Sequence, residues 1–247
     1  MHITPAPTRP ARRRLLVALI AAALAAAALP TLASATTDLR LLGYWPLNEG
    51  TGQVARDWSG NRNHGQLGST AAADENDPTW IRGVFGRALR FAGGDFVTVP
   101  DSPVLEPAKV TVTAFVRGEG SPGLFRYIVS KGALGCTTGS YGLYTGFGGG
   151  LAFYVSNGDR FVVSPELDES IWDGRWHFVG GTYNGSTVRL FVDGRQIGTG
   201  SPADFGIGYG LPTSDVAEIG GYAGCDLTFR GDVDEVTIWN RALPLGS

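Results

Sequence analysis

Acidic residues crowd two short stretches, Glu166-Leu167-Asp168-Glu169 and Asp232-Val233-Asp234-Glu235. Paired carboxylates facing each other across a sugar perform glycoside hydrolysis. On a strand, positions two apart share a face, so Glu166 and Asp168 align while Glu169 falls on the opposite face. The first stretch also follows Pro165 and leads into Trp172-Asp173-Gly174, which is turn context. No serine elbow, phosphate-binding glycine loop or metalloprotease string is present. His64 and His177 are the only histidines beyond the N-terminal segment. A lone histidine lacks the nucleophile and orienting group of a triad, and His177, after Trp176, reads as a packed strand residue. The chain is expected not to be an enzyme.

Binding chemistry has better candidates. Asp57 to Gly65 (DWSGNRNHG) is dense in oxygen donors and glycine, the composition a Ca²⁺ ion with six to eight hard ligands demands. The competing reading has Asp57 and the asparagines fixing turns through hydrogen bonds to the backbone. Tyr141, Tyr144, Phe147, Trp172, Tyr209 and Tyr222 lie in or beside glycine-rich loops, with Arg126 and Lys131 nearby in sequence. Exposed rings of this kind stack on sugar faces; buried, they cap the ends of the fold. Tyr141, Tyr144, Trp172, Tyr222 and Arg126 are the candidate ligand contacts. Trp45, Phe91, Phe115, Trp176, Phe178 and Trp239 sit inside strand patterns and read as core anchors.

The elements that must position these groups are strands. Arg9 and Arg12 to Arg14 precede an apolar run from Leu15 to Leu29 and the small-residue site Ala33-Ser34-Ala35. That is the pattern of a signal peptide over residues 1–35, cleaved after Ala35, and it implies secretion. The apolar run is shorter than the roughly 20 residues of a spanning helix. Four of the 20 basic residues lie in this leader, so 16 remain against 23 acids, a net charge near −7. Such a balance disfavours nucleic acid as a partner. Cys136 and Cys225 form an even pair in an exported chain and are expected to be disulfide-bonded. Residues 36–247 alternate apolar and polar residues in short runs separated by Gly, Asn, Asp and Pro, the pattern of one all-β sandwich domain. The clearest unit is a meander from Trp176 to Thr199, with Asn184-Gly185 and Asp193-Gly194 as its turns.

Several strings together, LLGYWPLNEGTGQVARDWSGNRNHGQL, GVFGRALRF, DFVTVPDSP, VTVTAFVR, YIVSKG, WDGRWHFVGGTYNGSTVRLFVDGRQIGTG and FRGDVDEVTIWNRAL, resemble laminin-G-like, concanavalin A-like lectin/glucanase domains, over nearly all of 39–243. The resemblance implies a two-sheet jelly-roll β-sandwich with one concave and one convex sheet. It also implies a structural Ca²⁺ between an N-terminal loop and an acid of the last strand. Asp234 occupies the matching place, with Asp57, Asn48 and the carbonyl of Gly60 as further ligands. Glucanases of this fold carry E-x-D-x-x-E or E-x-D-x-E, which this chain lacks. The expected function is a secreted, non-catalytic module that recognises a glycan or glycosylated surface. The alternatives are an extracellular protein-adhesion or scaffold module and, third, a glycan hydrolase.

Overall fold

The computed structural model describes residues 39–246; the leader read over residues 1–35 and its cleavage site lie outside them. Two eight-stranded sheets pack face to face, their strands paired antiparallel. The first runs β14 (Arg195–Pro202), β13 (Thr187–Val192), β12 (His177–Tyr183), β7 (Val110–Arg117), β16 (Arg230–Trp239), β5 (Arg87–Ala92) and β4 (Thr79–Arg82). β1 (Leu41–Trp45) joins it along the C-terminal half of β16. The second runs β11 (Phe161–Val163), β10 (Ala152–Ser156), β9 (Tyr141–Tyr144), β8 (Tyr127–Ala133), β15 (Ser214–Ile219), β6 (Val97–Val99), β3 (Gly65–Leu67) and β2 (Val54–Ala55). Among the described residues no helix is long and apolar enough to cross a membrane.

Alternation along each strand sends one set of side chains into the shared interior. Val110, Val112, Ala114 and Val116 of β7 meet Leu143, Phe153 and Val155 of the opposite sheet in one buried cluster. Gly181 of β12 makes room for Phe153, since a Cβ there would fall 2.0 Å from the ring. The Trp176–Thr199 meander forms as read. Asp193 and Gly194 both take positive φ (50° and 75°), as a two-residue turn twisted to match its strands requires. Asn184 Oδ1 accepts from the N–H groups of Ser186 and Thr187 to close the other turn.

The structure departs from the sequence reading in two places. β2 and β4 at the sheet edges, and β3 beside β2, have two to four residues, too short to show a period. Of the six expected core anchors, Trp45 and Phe91 are buried, whereas Phe115, Trp176, Phe178 and Trp239 are half-exposed. Phe115 and Phe178 lie on the outer face of the first sheet, alternating with the inward Ala114, Val116 and Val179. They shield each other there, with ring centroids 5.3 Å apart, while Arg117 lies 4.8 Å over the Trp176 ring.

Candidate functional site

The outer face of the second sheet carries a cluster of its own. In β9 and β10, Leu143, Phe153 and Val155 point inward, so Tyr144 and Tyr154 point out. With Tyr127 of β8 they form an aromatic floor. Tyr127 and Tyr144 stack at 5.3 Å, and Tyr154 meets Tyr144 edge-on at 5.3 Å. The three rings are 2–4% exposed and form the base of a cavity of about 300 Å³. Burial pushes their hydroxyls above the ordinary tyrosine range, so they remain protonated.

Three segments wall this cavity. Residues 134–139 carry Cys136, Thr137 and Thr138 along one side. Cys136 is bonded to Cys225, as expected from parity, with Cα atoms 5.7 Å apart. Gly139 N–H donates to Tyr154 Oη at 2.8 Å and Leu134 N–H to Tyr222 Oη at 3.1 Å, which ties this loop to the sheet. Phe125 and Leu227 form a second side. Phe125 has φ +54°, a left-handed backbone that is rare for a bulky residue and concentrates at functional positions. Phe147 and Phe161, 60% and 49% exposed, stand at the mouth. Phe147 meets Phe125 edge-on at 5.1 Å.

The Phe147 loop is held from behind. Glu166 accepts from Phe147 N–H (3.1 Å) and Gly148 N–H (2.8 Å). Gly146 takes φ +56°, and a Cβ there would collide with the Glu166 carboxylate at 2.5 Å. Trp172 Nε1 and Ser121 Oγ both donate to the Gly149 carbonyl.

The candidate ligand contacts separate accordingly. Tyr144 lies in the floor. Tyr222 lies beneath the disulfide loop, 4.6 Å from the Tyr127 ring, and supports the floor without lining the cavity. Arg126 borders the pocket, its guanidinium donating to the Asp226 carbonyl beside Leu227. Tyr222, 1% exposed, is thereby corrected as a ligand contact, and two further expectations are corrected with it. Tyr141 points into the core, is 0% exposed and donates to the Leu105 carbonyl; Trp172 packs in the same core against Phe229. Neither ring offers a face to a ligand. Lys131 also turns inward, its ammonium pairing with Asp101 and Glu106. Phe125, Tyr127, Tyr154, Phe161 and Leu227 were not singled out from sequence. For Phe161 the signal was present, because alternation with the half-buried Val162 places it on the outer face.

The expected metal ligands fall into two groups. Asp57 is saturated by its surroundings: Oδ1 accepts from Tyr44 and Ser59 N–H, Oδ2 from Asn63 N–H and Ser59 Oγ. This is the turn-fixing role, supported by His64 Nδ1 accepting from Asp57 N–H. Nothing lies within 4 Å of a Cβ built on Gly60. Asn48 and Asp234 instead both grip the turn before β5, Asn48 Oδ1 accepting from Arg87 N–H and Asp234 Oδ2 from Val84 N–H. Asp234 is wholly buried and its Oδ1 has no partner. That orphan oxygen suits a cation; Asp57, with both oxygens engaged by its own turn, does not. Among the described residues no group of three or more His, Cys, Asp or Glu is placed to hold a metal.

The acids around Arg90 and His177 are committed, and Glu218 is isolated. Asp232 is clamped by Arg90 (2.7 Å) and Arg117 (2.6 Å). His177 lies between Asp193 (2.7 Å) and Asp173 (3.1 Å); burial opposes its charge, but these carboxylates outweigh it and raise the imidazolium above its usual range. Glu218, on the same face as the tyrosine floor, has Ser130 and Thr98 as its cross-strand neighbours, not a second carboxylate.

The fold has close parallels. It is similar to domain 4 of AbnA, an extracellular arabinanase of family GH43 from Geobacillus stearothermophilus, solved with arabinotriose. The TM-score is 0.65 at 14% identity, covering 84% of this chain and 96% of that one. The binding domain of Paraclostridial Mosquitocidal Protein 1 superposes with a TM-score of 0.59 at 14% identity, over 83% of this chain and 50% of that one. Trypanosoma rangeli sialidase does so with a TM-score of 0.53 at 16% identity, over 83% and 31%. The chain thus spans half or less of the latter two. No curated protein sequence matches it significantly. Residues 91–245, well over half of the sequence, match the family Laminin_G_3. With its two antiparallel sheets and its jelly-roll neighbours, the chain belongs to the concanavalin A-like lectin/glucanase superfamily.

Proposed function

We propose that this protein is a secreted, non-catalytic module that binds a glycan in the aromatic pocket of the second sheet. The observation that carries this reading is the pocket itself: two exposed rings at the mouth, a tyrosine floor and no charged side chain in the lining. Apolar sugar faces stack on such rings, and a concave, largely preformed, apolar site is where a small ligand is held. The arabinotriose seen with the arabinanase domain supports a saccharide for this fold. A non-catalytic role is supported by the absence of an opposed carboxylate pair at the pocket, since Glu166 is occupied with the backbone of its neighbouring loop. Titration calorimetry of the mature chain against a panel of neutral oligosaccharides tests the reading. Phe147→Ala and Phe161→Ala are each expected to weaken binding by about 0.5–1.5 kcal/mol, with little change in melting temperature. Unchanged affinity in both variants contradicts the site.

A Ca²⁺ ion bound by Asp234 and Asn48 is proposed as a structural element, supported by the orphan Oδ1 of Asp234. It would screen a buried carboxylate and fasten the turn before β5. Melting with and without chelator, at matched ionic strength, should then differ, since a ligand of the native state stabilises it by RT ln(1 + [L]/Kd). Identical midpoints, with no calcium by elemental analysis, contradict it.

A further inference from the structure

We propose that the pocket selects a saccharide unit bearing a methyl group, on a deoxy carbon or within an acetyl substituent, over fully hydroxylated and carboxylated units. This rests on the glycan reading and sharpens it. The lining is six aromatic rings, Leu227, Cys136 and two threonines. Its few polar groups are largely committed. Thr137 Oγ1 donates to the Leu134 carbonyl at 2.6 Å, and Tyr154 Oη accepts from Gly139 N–H. Tyr127 and Tyr154 interact through their hydroxyls. Thr138 and Tyr144 are left to meet a ligand.

A hexose brings several hydroxyls, and each one buried without a partner is penalised. A methyl group entering between rings gains burial at no such cost. The cavity, about 300 Å³, lies at the small end for ligand sites and suits a single end unit. Charge points the same way. No lining side chain is charged, and the Phe147 loop borders an open cleft lined by Gly148, Glu166, Asp168 and Glu169. None of these three acids is in an ion pair among the described residues. A carboxylated sugar at the mouth would meet three acids against the single guanidinium of Arg126 at the pocket border, a modest penalty in a solvent-screened field.

The test is a ligand-observed NMR titration of the whole mature chain. The ligands are methyl glycosides of gluco, galacto and manno configuration, each as parent hexose, 6-deoxy sugar, N-acetylated amino sugar and uronate. In at least one configuration the 6-deoxy or the N-acetyl form should bind at least tenfold more tightly than its parent, with the uronate weakest. The two arms separate a deoxy methyl from an acetyl methyl. Phe147→Ala should abolish the preference. Parents or uronates that bind as tightly as the methyl-bearing forms, in a site still weakened by Phe147→Ala, overturn this inference and leave the glycan reading standing. Absence of binding in every configuration overturns both.

Discussion

Glu218 sits on the outer face of β15 with 7% exposure, and burial pushes its carboxyl up to about 7, against a hydrogen bond to Thr98 that opposes the shift. Because the folded group holds its proton more tightly than the unfolded one, the sign is set. Glu218 has no cost below the ordinary carboxylate range and destabilises progressively as pH rises through about 7. The full cost is roughly 2–4 kcal/mol. Glu218→Gln should therefore match the parent protein near about pH 4 and exceed its stability by that amount near about pH 8, measured by urea unfolding. A difference that does not grow with pH contradicts the assignment. At this scale the sequence was least informative. Tyr141 and Tyr144 are three residues apart on one strand, so one enters the core and the other the pocket floor. Only the strand register decides which. Asp57 and Asp234 looked alike as oxygen donors, yet one is saturated by its own turn and the other keeps an orphan oxygen.

Elements were far more legible, because period-two alternation and turn dipeptides are local signals. The β12–β14 meander and the pairing of Cys136 with Cys225 follow from them and from cysteine parity. β2, β3 and β4 do not, since two to four residues show no period. Loops did not reveal their targets either. Nothing local in the sequence shows that Glu166, on one segment, braces the backbone of Phe147 on another. The disulfide spans 89 residues and fastens the Thr137–Thr138 wall. Replacing both cysteines by serine should cost about 2–5 kcal/mol of stability. Glycan affinity should fall as well, because the wall it anchors is freed. Calorimetry of binding at a temperature where the variant stays folded checks this, and full affinity in the folded variant contradicts the wall's role.

For the whole molecule, the two faces of the sandwich have different fates. The inner faces make one core, while the outer face of the second sheet is aromatic and indented, and that of the first carries ion pairs and a Phe85–Phe115–Phe178 row. The architecture was readable from composition and strand spacing. The pocket arises only when strands distant in sequence lie side by side, which is why four of its six rings, Phe125, Tyr127, Tyr154 and Phe161, do not stand out in the sequence. Its assignment as the ligand site is tested most directly by chemical-shift mapping on the labelled protein titrated with a bound saccharide. Shifts concentrated at Phe125, Tyr127, Thr138, Tyr144, Phe147 and Phe161 are the predicted result. Shifts concentrated on the first sheet around Phe115 and Phe178, with the tyrosine floor silent, would contradict it.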